Sequence, residues 1–156
     1  MGANGLKIYK SLGMSFVDSK GNRIKVNDPR IDPVWAKCGE LDMMEYLGHQ
    51  PSVVYGTVHW DTDGYKHMGS SYSLSGSTFS SEFHVFSFIW TPNNFKWLVD
   101  GYEYYKLNIS TISGFPINLP QFFIFNVAVG GNWPGNPDET TTFPQHMIVD
   151  YIRVYQ

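Results

Sequence analysis

Almost no stretch of this chain repeats its apolar residues at helical spacing. They come instead in short runs of Val, Ile, Phe, Tyr and Trp closed by Gly, Pro, Asn or Ser, the pattern of strands and turns. ELDMMEYL (40–47) and SVVYGTVHW (52–60) read as two strands joined at GHQP. HVFSFIW (84–90) ends at the turn sequence TPNN. FKWLV (95–99) and YEYYKL (102–107) flank Asp100-Gly101, a two-residue hairpin signal. FFIFNVAVGG (122–131) and HMIVDYIRVY (146–155) read as the last two strands, with the polar loop NWPGNPDETTTFPQ between them. LKIYKSLGMSFVDSKGNRIKV reads as one or two strands around DSKGN, and NDPRIDP as loop. Strands at this spacing make the chain all-β, a sandwich or jelly roll.

A length of 156 residues suits one domain, residues 1–156, and 42% hydrophobic content can fill its core. A net charge of −3 provides no basic footprint, so nucleic acid and anionic membrane are not expected partners. No apolar run is long enough to span a bilayer as a helix. The opening MGANGLKIYK lacks the apolar centre of a signal peptide. The single cysteine, Cys38, rules out an internal disulfide and reads as a small buried residue. No Cys/His cluster has zinc-finger spacing.

The chemistry concentrates in GELDMMEYLG (39–48), where Glu40, Asp42 and Glu45 stand among apolar residues. Strand side chains alternate faces, so Glu40 and Asp42 share one and Glu45 points away. A one-residue bulge at Met43-Met44 would return Glu45 to the face of the other two. Like charges in a row push their pKa values apart, so one carboxyl holds a proton while another stays ionised. A retaining glycosidase needs that division between a nucleophile and an acid/base. The residues alone also fit a solvated acidic strand face, or a site for a hard cation.

GELDMMEYLG resembles the bulged E-x-D-x-x-E signature of glycoside hydrolase family 16. VWAKCGELDMMEYLG, YGTVHW, FHVFSFIWTP, KWLVDG, FFIFNVAVGGNWPG and FPQHMIVDYIRVYQ resemble its laminarinase-type members in order, from about Trp35 to Gln156. The resemblance implies a concanavalin A-like β-jelly roll with a cleft for β-glucan. It implies that Glu40 is the nucleophile, Asp42 its orienting partner and Glu45 the general acid/base. The implied reaction is retaining endo-hydrolysis of β-1,3-glucan (laminarin) or mixed β-1,3-1,4-glucan, with no cofactor needed for catalysis. A secreted location is expected for an enzyme of such a polymer.

Sugars stack their C–H faces on aromatic rings and need polar partners for their hydroxyls. By similarity Trp35 lines the cleft near the nucleophile. His59 and Trp60 end the strand paired with the catalytic one and face opposite ways; His59 is the one expected in the cleft, beside Glu45. Asn126 is the lone polar residue of an apolar strand and needs a partner. Trp133, on its loop, is a stacking candidate, and Trp90 is either core or cleft floor. Trp97 is expected in the core, and His84 is expected to serve the fold. Many relatives hold a structural calcium on the convex side, which would make Asp150 a ligand here, although the N-terminal ligands are not recognisable.

Only about forty residues precede Glu40, and KIYKS replaces the family's tryptophan- and proline-containing block. The sequence therefore reads as an N-terminally incomplete family domain with residues 1–30 atypical. Missing strands would leave sheet edges and apolar faces uncovered. A homodimer or higher oligomer that covers them is expected, as is weakened activity. The rival reading is a weakly active or inactive glucan-binding fragment on the same fold.

Overall fold

The structure is a computed structural model. It describes the backbone of residues 3–10, Lys20, and residues 39–117 and 121–155. Eight strands follow in chain order: β1 (Ala3–Lys10), β2 (Glu40–Leu47), β3 (Val53–Asp61), β4 (Tyr65–Ser73), β5 (Phe86–Trp90), β6 (Asn94–Val99), β7 (Tyr102–Asn108) and β8 (Gln121–Ala128). They form a five-stranded sheet in the order β4-β3-β2-β1-β8 and a three-stranded sheet β5-β6-β7. Every described pairing is antiparallel, so the all-β reading holds.

Alternation along β3 explains how the sheets stack. Val54, Gly56, Val58 and Trp60 are buried while Tyr55, Thr57 and His59 are half-buried, so one face turns to the core. Leu41, Val58 and Trp60 meet Phe95, Trp97 and Leu107 from the second sheet, closed at one end by Ile112 and Phe115. Aromatic rings dominate this interface. Phe88 and Trp97 pack edge-to-face with centroids 4.9 Å apart, and the Trp97 ring lies 5.0 Å from that of Tyr105.

Asp100 and Gly101 form the expected hairpin turn, with φ of +50° and +82°; Gly and Asp tolerate this region best. His84 Nδ1 lies 2.7 Å from Asp100 Oδ2, and the Val85 N–H donates to Asp100 Oδ1 at 2.8 Å. His84 thus serves the fold. Asn108, the first residue of the Asn-Ile-Ser sequence, caps the 3-10 helix Ile109–Thr111 by accepting from the Ser110 N–H.

One strand was not expected from the sequence, and one expected strand needs correction. YKHMGSSYS (65–73) forms edge strand β4, although its sequence carries no apolar alternation; it pairs with β3 along its length through backbone groups, and seven of its nine residues are exposed on an edge that needs no buried face. Conversely, HMIVDYIRVY (146–155) joins no ladder among the described residues. Its alternation suits a strand, but a strand exists only through a paired neighbour. Ile148, Tyr151, Val154 and Tyr155 are exposed.

β1 is central, between β2 and β8. The second sheet does not extend over β8: Phe123 shares the core face with Leu41 through Ile8, yet Phe123, Phe125 and Val127 are 37–40% exposed where Leu41 is 0%.

Candidate active site

Strand register places the carboxylates. Between β2 and β3, Glu40 pairs with His59, Asp42 with Thr57 and Glu45 with Tyr55, and the register shifts between Asp42 and Glu45. Two residues, Met43 and Met44, therefore oppose the single Gly56. That bulge sits at the expected dipeptide, and it aligns Glu40, Asp42 and Glu45 on the face opposite the core. The rows continue through the backbone of Tyr9, Lys7 and Gly5 to Phe122, Ile124 and Asn126.

Polar contacts bind the row together. Asp42 is fully buried, and His59 Nε2 lies 3.0 Å from its Oδ2. Thr57 donates its hydroxyl to Glu45 Oε2 at 3.1 Å. The Tyr65 hydroxyl lies 2.6 Å from His59 Nδ1, and the rings of His59, Tyr65 and His67 lie 5.7–5.8 Å apart. An ionised Asp42 selects the His59 tautomer with its proton on Nε2, which leaves Nδ1 to accept from Tyr65. From the core side, burial and then the charge of Glu45 raise the pKa of the Tyr104 hydroxyl and keep it protonated.

Of the sequence candidates, His59 enters this face while Trp60 enters the core. His59 stands opposite Glu40 and touches Asp42, with a ring nitrogen within 4.8 Å of Glu45. Asn126 is half-buried, in the row of Glu45 with Gly5 between them; two strand spacings put about 10 Å between their backbones. Trp133 packs edge-on against Tyr55 at 5.0 Å, beside Glu45, and is half exposed. Trp90 belongs elsewhere: it packs on Phe95 at 5.3 Å in the second sheet and lines a separate pocket with Thr91, Pro92, Ile109 and Ile117. Phe88, two residues earlier on the same strand, packs against the core cluster. Trp35 and Cys38 lie outside the described residues.

Tyr55, Thr57, Tyr65 and His67 had not been singled out. Tyr55 and Thr57 precede His59 by four and two residues, so strand alternation already put them on its face. Tyr65 and His67 arrive with β4, which had no strand signal. Tyr55, Thr57, His67, Gly69, Ser70 and Ser71 line a groove across β3 and β4.

Among the described residues, Asp42, Glu45 and His59 are the one group whose ligand atoms approach closely enough, within 4.8 Å, to hold a cation. At 3.0 Å, however, His59 and Asp42 are at hydrogen-bond distance, which suits a shared proton. Asp150 is exposed and belongs to no such group.

A family model, glycosyl hydrolases family 16, matches residues 28–153. The chain belongs to this family. A family 16 likeness extends to named proteins. The chain is 36% identical over 133 residues to a beta-glucanase of Rhodothermus marinus, covering 78% of this chain and 46% of that protein. It is 38% identical over 136 residues to glucan endo-1,3-beta-glucosidase A1 of Niallia circulans, covering 78% and 20%. The laminarinase catalytic domain of Thermotoga maritima MSB8, solved with cetyltrimethylammonium bromide, superposes with a TM-score of 0.70 at 35% identity. That match covers 92% of this chain and 53% of the other. The chain thus spans about half, or less, of the length of each of these relatives.

Proposed function

We propose that the chain is a retaining endo-glycosidase of β-1,3-glucan or mixed β-1,3-1,4-glucan. The observation that carries this reading is the bulged register that brings Glu40, Asp42 and Glu45 to one face. Names of the relatives, a beta-glucanase and a glucan endo-1,3-beta-glucosidase, support the substrate class.

In this mechanism Glu40 attacks the anomeric carbon. Glu45 protonates the departing glycosidic oxygen, and a glycosyl-enzyme ester forms. Glu45, now a carboxylate, takes a proton from water as that water attacks the same carbon and releases Glu40. Asp42, held by His59, orients Glu40 and shapes the charge around it. The Thr57 hydroxyl steadies Glu45. Trp133, Tyr55 and Asn126 line the glucan path. Trp35 belongs to the same path by resemblance. A polymeric substrate supports a secreted location.

The uncovered apolar face of β8, Phe123, Phe125 and Val127, supports a second copy of the chain as its cover. Sedimentation should show a dimer or larger species, and a monomer at micromolar concentration would remove that part of the reading.

The test of activity is reducing-sugar release from laminarin and lichenan, with Glu40→Gln as control. Release that falls by at least about 1,000-fold in the variant is expected, because a covalent route is lost. No release by folded protein would favour the glucan-binding fragment, which isothermal titration with laminarin oligosaccharides would then detect.

A further inference from the structure

The carboxylate face is held from behind. The bulge takes Met43 and Met44 out of regular pairing with β3, and a buried carbonyl beside an interrupted ladder needs a donor from elsewhere. Trp97, on β6 in the other sheet, supplies one: its indole Nε1–H donates to the Asp42 carbonyl at 2.8 Å in the buried interior. Gly56, opposite the bulge, makes room for this approach. A Cβ at residue 56 would stand 2.3 Å from Trp97 Cδ1, 2.7 Å from its Nε1 and 2.4 Å from the Tyr104 hydroxyl. Two rings from the second sheet therefore rise through a notch in β3 to the back of the bulge. The indole is itself clamped, by Phe88 at 4.9 Å and Tyr105 at 5.0 Å.

We propose that Trp97 is a positioning residue, which holds the Met43–Met44 bulge and so sets where the Glu45 carboxyl stands relative to Glu40. This rests on the catalytic roles assigned to Glu40 and Glu45 above. Without the indole N–H, the Asp42 carbonyl turns toward another donor, the bulge relaxes, and Glu45 leaves the line of the glycosidic oxygen. Glu40 and Asp42, which precede the bulge, keep their rows opposite His59 and Thr57.

Leaving-group dependence separates positioning from packing. Replacing Trp97 with benzothienylalanine deletes the N–H and keeps the ring shape, which avoids the folding risk of Trp97→Phe. Hydrolysis of laminarin, whose sugar alkoxide needs a proton to depart, should fall about 100-fold in kcat/KM, the size of effect a misplacement near 1 Å produces. Hydrolysis of a dinitrophenyl β-laminaribioside, whose phenolate departs unprotonated, should fall less than about threefold, because acid assistance is not used. Equal losses on both substrates would overturn the proposal and leave Trp97 a packing residue. Glu45→Ala is the reference: a variant with no leaving-group dependence would instead refute the acid/base assignment. A crystal structure of the benzothienylalanine protein gives an answer independent of turnover. An unchanged bulge with the Glu45 carboxyl within about 0.3 Å of its original place would overturn the inference, since ordinary packing is sensitive to shifts of that size.

Discussion

Gly56→Ala tests whether the notch in β3 is required. The new Cβ would lie 2.3 Å from Trp97 Cδ1, where ordinary contact begins at 3.4 Å; the difference is 1.1 Å of displacement, forced on a fully buried ring. Overpacking of this kind costs about 1–3 kcal/mol. The same displacement misaligns the indole bond to the Asp42 carbonyl, and leaving a buried carbonyl without its donor costs about 1–3 kcal/mol more. Alanine returns about 0.5–1 kcal/mol by restricting the unfolded backbone. The net expectation is a loss of about 3 kcal/mol. For a chain of this size each kcal/mol moves Tm by about 2–4 °C, so a fall of about 6–12 °C should appear. Urea unfolding followed by tryptophan fluorescence and by near-ultraviolet circular dichroism measures it directly. A Gly56→Ala protein within about 0.5 kcal/mol of the parent, the range of an ordinary surface change, would refute the account of why glycine stands there.

Further expectations concern the core, the turn and the cleft. Leu41→Ala, at a fully buried site between Glu40 and Asp42, should lose about 2–5 kcal/mol in the same unfolding assay. At Asp100, burial opposes ionisation, but the His84 hydrogen bond, the Val85 N–H and the His84 charge outweigh it and hold the pKa below 3.8. A lowered folded-state pKa stabilises the fold above the unfolded value and loses that contribution as pH falls through the folded value. Asp100→Asn should therefore flatten the decline of Tm below about pH 4; because the carboxyl is half exposed, the difference should stay under about 1 kcal/mol. An unchanged acid limb would show that the His84 contact contributes nothing. Trp133→Ala should raise KM for laminarin by about 10-fold through lost stacking, with Tm nearly unchanged; a fall in kcat alone would place the ring in some other role.

The strands with a buried face were legible because burial writes itself into alternation. β3 and β6 carry a period of two, and Asp100-Gly101 specifies a turn by backbone sterics alone. The bulge was legible for a related reason: three carboxylates at spacings of two and three share one face only if a residue is added at Met43-Met44. Strand β4 was not legible, since an edge strand held by backbone hydrogen bonds needs no apolar face. The reverse error fell on residues 146–155, whose alternation is genuine but whose pairing depends on a neighbour that local sequence cannot specify. Trp90 shows the same limit, because one strand's alternation identifies two faces without saying which one meets the core.

Sequence by itself thus determined the all-β class, the hairpin turn, the carboxylate triplet and the family to which they belong. Each depends on residues close together in the chain, where periodicity and backbone sterics act. Tertiary structure alone decided that His59 reaches Asp42, that Trp133 meets Tyr55, and that Trp97 bonds the carbonyl behind the bulge from 55 residues away. Those contacts follow from strand register and sheet stacking, which are set by the summed burial of many side chains and not by any local run of residues.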